Sequence, residues 1–211
     1  MMADYLRNPA EIYQRSLAMI AVEADLSRLP EDLRGVATRL IHACGMTDLV
    51  ADLVWSDDVA TVARKALARG ATVLCDSNMV GAGIIRRRLP AENPVVCMID
   101  SPETATLATT RCTTRSAAAV DLWRSQLGGA IVAIGNAPTA LFRLLELIDE
   151  GAEKPAAVVA FPVGFIGAAE SKTALATNSR GVPFLTLRGR RGGSAMAAAA
   201  VNSFAVEEGV P

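Results

Sequence analysis

Histidine is nearly missing from this chain: 211 residues contain one, His42. Aromatic residues are scarce too, at 4%, which removes the stacking surfaces that single-strand nucleic-acid binders use. Neither sign of charge is in excess, with Lys and Arg at 21 and Asp and Glu at 22. The electrostatic footprint expected of a protein that binds nucleic acid or an anionic membrane is therefore absent. The four cysteines, Cys44, Cys75, Cys97 and Cys112, form no CxxC pair. That argues against a zinc site or a disulfide framework and fits a reducing cytoplasm. No uninterrupted apolar run reaches membrane-spanning length, since those around 131–142 and 158–169 are broken by Pro and Gly. Met1-Met2-Ala3-Asp4-Tyr5 lacks a basic segment followed by an apolar one, so no signal peptide is expected. The expectation is a soluble cytoplasmic protein with no metal.

Nucleotide signatures are missing as well. There is no GxxxxGK[ST] phosphate loop, and no GxGxxG after an early strand with an acidic residue downstream. NAD, FAD and S-adenosylmethionine find no support, and no cofactor is expected.

What is present is apolar and well punctuated. The composition is 51% hydrophobic, ample for one sizeable core in a single domain spanning 1–211. Asn8-Pro9-Ala10-Glu11 reads as an N-cap, a Pro at the first helical position and a Glu placed for a capping box. Tyr13, Leu17, Ile20 and Ala24 then follow at helical spacing. A second helix is expected from Pro30 to Cys44, stopped by Gly45, and a third over 56–69, closed by Gly70. Short continuously apolar runs at 72–75, 95–99, 130–134, 156–161 and 184–187 alternate with helical patterns near 104–110, 115–127, 139–150, 169–177 and 194–206. Such strands are apolar on both faces, which predicts an α/β fold behind an N-terminal helical segment: a mostly parallel sheet with helices on both sides.

In such a sheet ligands bind beyond the carboxyl ends of the strands. Three loops there are rich in glycine: Gly135-Asn136-Ala137-Pro138-Thr139, Pro162 through Lys172, and Arg188-Gly189-Arg190-Arg191-Gly192-Gly193-Ser194. Asn136 reads as a helix cap. Free N–H groups at helix starts, with Arg and Lys beside them, make a rim suited to phosphates or carboxylates. Tight turns carrying surface charges would give the same composition, and for the 188–194 loop the two readings are even.

His42 shares a helix face with Gly35, Thr38 and Arg39, opposite Leu33, Val36, Ala37 and Leu40. It points away from its own helix's core, beside a guanidinium. A histidine over a substrate can lend and recover a proton near neutral pH, and an ordinary solvated face is the plain alternative.

Arg39-Leu40-Ile41-His42-Ala43-Cys44-Gly45 resembles the histidine-bearing helix of the precorrin-8X methylmutase family. Further stretches resemble it in the expected order: Ile12-Tyr13-Gln14-Arg15-Ser16, Leu74-Cys75-Asp76, Thr114-Arg115-Ser116-Ala117-Ala118, Ile134 through Leu141, Pro162-Val163-Gly164-Phe165, Ala169-Glu170-Ser171-Lys172, and Gly192-Gly193-Ser194-Ala195. The resemblance implies an isomerase that moves a methyl group from C-11 to C-12 of a corrinoid tetrapyrrole, giving hydrogenobyrinate. It also implies acid catalysis by His42 and a homodimer. By the same resemblance Ser16 and Arg39 contact the substrate, with Thr114, Arg115, Lys172 and Ser194 as further binding candidates. Ser16 reads equally as a helix serine packed at an interface. Arg115 suits a bidentate grip on a carboxylate arm, and Lys172 beside Glu170 is also readable as an exposed ion pair. A corrinoid carrier without turnover and a small phosphate-ester enzyme are the competing functions. The run Arg86-Arg87-Arg88 reads as a solvated face.

Overall fold

A computed structural model describes residues 5–206; Met1–Asp4, four of the five residues read for a signal peptide, lie outside them. The chain opens on three helices, α1 (Pro9–Glu23), α2 (Glu31–Cys44) and, after strand β1 (Leu53–Trp55), α3 (Val59–Ala68). There follow β2 (Val73–Cys75), α4 (Asn78–Gly83), β3 (Val95–Cys97), α5 (Pro102–Thr110), α6 (Arg115–Asp121), β4 (Ile131–Ile134), α7 (Pro138–Asp149), β5 (Ala157–Ala160), α8 (Ala168–Thr177), β6 (Phe184–Leu187) and α9 (Ser194–Phe204).

The expected α1 start is there, with one correction. Asn8 Oδ1 accepts from the N–H groups of Ala10 and Glu11 at 3.0 and 3.2 Å, but Glu11 does not return the bond. Its carboxylate pairs one turn on with Arg15, at 2.6 Å. Helix α2 stops at Gly45, whose φ of 70° is left-handed and whose N–H reaches back to Ile41 O at 2.7 Å, a geometry that glycine adopts without steric cost.

Six strands form one sheet in the order β1-β6-β5-β4-β2-β3. Every pairing is parallel except that of the edge strand β1, which runs antiparallel to β6 with Leu53 opposite Leu187. Alternate residues of each strand feed two cores. Val73, Cys75, Ile131, Ala133, Ala157 and Val159 pack with side chains of α2, α3 and α9. Leu74, Val132, Ile134, Val158 and Ala160 pack with Leu141, Leu144 and Leu147 of α7, with Trp123 and with Leu175. The mostly parallel sheet with helices on both faces is as expected. Strand β1 and helix α4 are additions: three residues at a sheet edge, and six residues with two glycines, carry too little periodicity to be read.

Candidate active site

His42 sits in the last turn of α2, exposed, on the side away from buried Leu33, Val36, Ala37, Leu40 and Ile41. Helix α1 lies against it. Ser16 Oγ is 2.9 Å from His42 Nδ1, and the Tyr13 ring meets the imidazole edge-on, 5.5 Å between centroids at 76°. Arg39, one turn before His42, donates through Nη1 to Tyr13 Oη at 3.4 Å. Three residues singled out in the sequence, Ser16, Arg39 and His42, are therefore brought into one cluster. Tyr13 joins them; the sequence offers it as part of a packing face and within the Ile12–Ser16 stretch, but not as a site residue.

The other candidates are dispersed. Thr114 caps α6, accepting from Ala117 N–H at 3.1 Å, and its hydroxyl meets that of Thr139 at 2.8 Å. Arg115 is exposed and donates to Ile99 O at 2.7 Å and Asp100 Oδ1 at 3.0 Å. Asp100 also takes the Asn78 amide, so this polar group gathers at the carboxyl end of β3. Ser194 is buried with its Oγ 3.2 Å from Ser77 Oγ.

Lys172 requires a correction. It is 1% exposed and has no ion pair with Glu170; its ammonium donates to Arg191 O at 2.5 Å. Burial, aided by the Arg191 charge, pulls its pKa from 10.5 down to about 8. It also lines a 340 Å³ cavity with Val54, Thr186 and Arg188.

The glycine loops likewise use much of their chemistry internally. Asn136 does not cap α7. The buried Asp76 carboxylate, just beyond β2, instead fixes the turn that leads into α7, accepting the N–H groups of Gly135, Asn136 and Ala137 at 2.8–2.9 Å. Burial pushes this carboxyl up, and the three N–H groups hold it back. Arg191 is spent on Asp48 and Asp52, at 2.7 and 2.5 Å, in the turn that follows α2. The expected anion rim is thus reduced to Arg188 and Arg190 at the surface, and the Arg190 guanidinium lies 5.4 Å from the centre of the Phe165 ring. Phe165 and Ile166, between β5 and α8, are 84% and 91% exposed. The expected solvated run of arginines contributes Arg86 and Arg87 to the wall of a 720 Å³ cleft with Asn78, Ile85 and Cys97.

Cys75 and Cys97 are register partners across β2 and β3. Burial drives both thiols up, Cys75 to about 12, which holds both in the neutral form. Among the described residues no three of His, Cys, Asp and Glu gather into a metal site, and no helix is long and apolar enough to cross a membrane.

Known proteins match this chain closely. The family model described as precorrin-8X methylmutase covers residues 11–207. A precorrin-8X methylmutase of Pseudomonas aeruginosa is 55% identical over 206 residues, 98% of this chain and 99% of its own. One from a Sinorhizobium species is 55% identical over 202 residues, 96% of each chain. A cobalt-precorrin-8 methylmutase of Priestia megaterium is 34% identical over 199 residues, 94% of this chain and 88% of its own. The solved structure of a precorrin-8X methylmutase from Thermus thermophilus superposes with a TM-score of 0.83 at 35% identity, covering 93% of this chain and 94% of that one.

Proposed function

Since the chain belongs to the precorrin-8X methylmutase family and is an isomerase of that kind, we propose that it moves the methyl group of precorrin-8X from C-11 to C-12, giving hydrogenobyrinate, with His42 as the acid. The observation that carries this reading is the Ser16–His42 contact. With Nδ1 held by the Ser16 hydroxyl, Nε2 is the ring nitrogen left to meet a ligand. In the imidazolium, Nδ1–H donates to Ser16 Oγ and Nε2–H is the transferable proton. Once Nε2 has given that proton to the conjugated macrocycle, the Nδ1–H bond to Ser16 persists, so the ring neither turns nor changes partner. Protonation draws electron density along the conjugated system. The C-11–methyl bond breaks as the C-12–methyl bond forms, and a proton then returns to Nε2. Nothing is gained or lost overall.

Arg39 lies on the same helix face and binds a substrate carboxylate beside His42, with Tyr13 orienting its guanidinium. Arg115 and Thr114, at the carboxyl end of β3, serve a more distant carboxylate arm. Metal-free precorrin-8X is favoured as substrate because the two relatives at 55% identity carry that name, whereas those named for the cobalt-bearing form stand at 30–39%. Helix α1 presents Ile12, Met19 and Val22 outward, the last 87% exposed, and a second copy covering them makes the protein a homodimer in the cytoplasm.

His42→Asn keeps a polar amide near the Nδ1 position and removes the titratable ring. Turnover is expected to vanish, with the tetrapyrrole still binding and colouring the protein. Undiminished turnover in that variant would overturn the assignment of His42. Wild-type protein that binds precorrin-8X without converting it would leave the carrier reading in its place.

A further inference from the structure

The sheet order contains one reversal. From β2 the chain steps outward to β3, then returns to the opposite side of β2 with β4 and continues through β5 and β6. The crevice between the carboxyl ends of β2 and β4 is therefore the topological switch point, where open α/β sheets ordinarily take a ligand. Here it already holds an anion. Asp76, the first residue beyond β2, is 1% exposed. Its Oδ1 accepts from Gly135 N–H at 2.9 Å, and its Oδ2 from Asn136 and Ala137 N–H at 2.9 and 2.8 Å. These three successive donors lie in the turn that leads into α7, whose N-cap is Ala137 and whose first residue is Pro138, and successive backbone N–H groups turned toward one point make an anion-binding concavity in other proteins.

The turn that Asp76 fixes also sets its neighbours. A Cβ on Gly135 would fall 2.6 Å from Ser194 Cα and 2.8 Å from Val80 Cγ2, so the turn abuts the first residue of α9 and the middle of α4. Ser77, next to Asp76, meets Ser194 Oγ and caps α4 through Val80 N–H at 3.4 Å. The Asp76 carboxylate thus ties the end of β2 to the β4–α7 turn, and its neighbour Ser77 and the turn's Gly135 meet α4 and the start of α9.

We propose that Asp76 is a positioning residue that serves as a built-in anion: it fills the switch-point crevice, keeps small anions out, and leaves behind a site for a small free carboxylate when it is removed. This inference rests on the crevice alone and does not depend on the role given to His42.

Formate is the probe, because it carries the carboxylate without the backbone link. Asp76→Gly removes both the anion and the Cβ that would crowd a free formate. The variant is expected to melt roughly 10 °C below wild type after losing three charge-assisted hydrogen bonds. Formate should restore most of that loss saturably, and turnover with it, whereas chloride at equal ionic strength should not. Wild type and Asp76→Asn, whose crevices stay filled, are expected to ignore formate. If Asp76→Gly does not fold unaided, refolding yield in formate against chloride is the readout. No formate-specific gain in melting temperature or in refolding yield would overturn the proposal. The melting measurement needs no substrate, so its failure is separable from failure of the methylmutase mechanism.

Discussion

Ser16 Oγ stands 2.9 Å from His42 Nδ1, a contact between α1 and α2 made across 26 residues of sequence. It holds one ring nitrogen and so decides which way the other faces. Ser16→Ala should leave the imidazole free to rotate and lower kcat by roughly tenfold, the scale of one hydrogen bond to a charged group, with KM little changed. Ser16→Thr keeps a hydroxyl and is expected to recover most of the rate. Equal kcat for wild type and Ser16→Ala in steady-state assays would show that the ring does not depend on Ser16 for its orientation.

Arg191 fastens the loop after β6 to the turn after α2, bonding Asp48 and Asp52. The guanidinium is about one-third exposed and Asp48 largely so, so solvent and salt screen the pairs and each is worth little alone. Arg191→Ala is expected to cost about 1 kcal/mol, less in high salt, and to lower kcat by loosening the end of the helix that carries His42. Chemical denaturation at low and high salt measures the first effect. A stability loss that is the same at both ionic strengths would mean that packing of the arginine stem, and not its charge, fastens the loop.

Lys172 gives the stability a pH dependence whose sign is fixed by the direction of its shift. The folded pKa is about 8, below the ordinary 10.5, so between these values the unfolded chain holds a proton that the folded protein has released. Stability from this group therefore rises with pH across that window, and below pH 8 the buried ammonium is a cost. A depression of this size corresponds to a few kcal/mol. Lys172→Met should accordingly gain on wild type at pH 7 and lose that advantage toward pH 10.5. A stability difference between the two proteins that stays flat from pH 7 to 10.5 would refute the shift.

Much of this arrangement is legible in the sequence. Strand 184–187 and the Gly45 stop of α2 follow from local rules, because apolar runs and left-handed caps are properties of a few neighbouring residues. Ser16 and His42 were individually visible, but their contact was not, since helix-against-helix packing has no local signature. Asn136 looks like a cap because it stands at a helix start, yet the turn there is fixed by the Asp76 carboxylate, sixty residues earlier, which accepts the Asn136 N–H. Lys172 was misplaced for a different reason. Helix α8 is built of Ala, Ser and Thr on nearly every side, so no apolar face told which residues turn inward. Position beside Glu170 suggested an exposed pair where the fold makes a buried cation.

Gly35 offers a test of where the tetrapyrrole lies. It is exposed on α2, two turns before His42 and on the same stripe, and a Cβ there would meet nothing within 4 Å. With no strain to oppose it, Gly35→Ala should stabilise the protein by about 0.5–1 kcal/mol, through helix propensity and a less flexible unfolded chain. The added methyl points outward some 10 Å along the helix from His42, by the rise of about 1.5 Å per residue. If the substrate runs along this face from His42, that methyl meets it in ground state and transition state alike. KM is then expected to rise severalfold with kcat unchanged, the pattern of lost uniform binding. The two readouts are independent: a higher melting temperature reports only the helix, and KM reports only the ligand. A stabilised variant with wild-type KM would place the tetrapyrrole on the far side of His42, toward Gly45 and the loop held by Arg191.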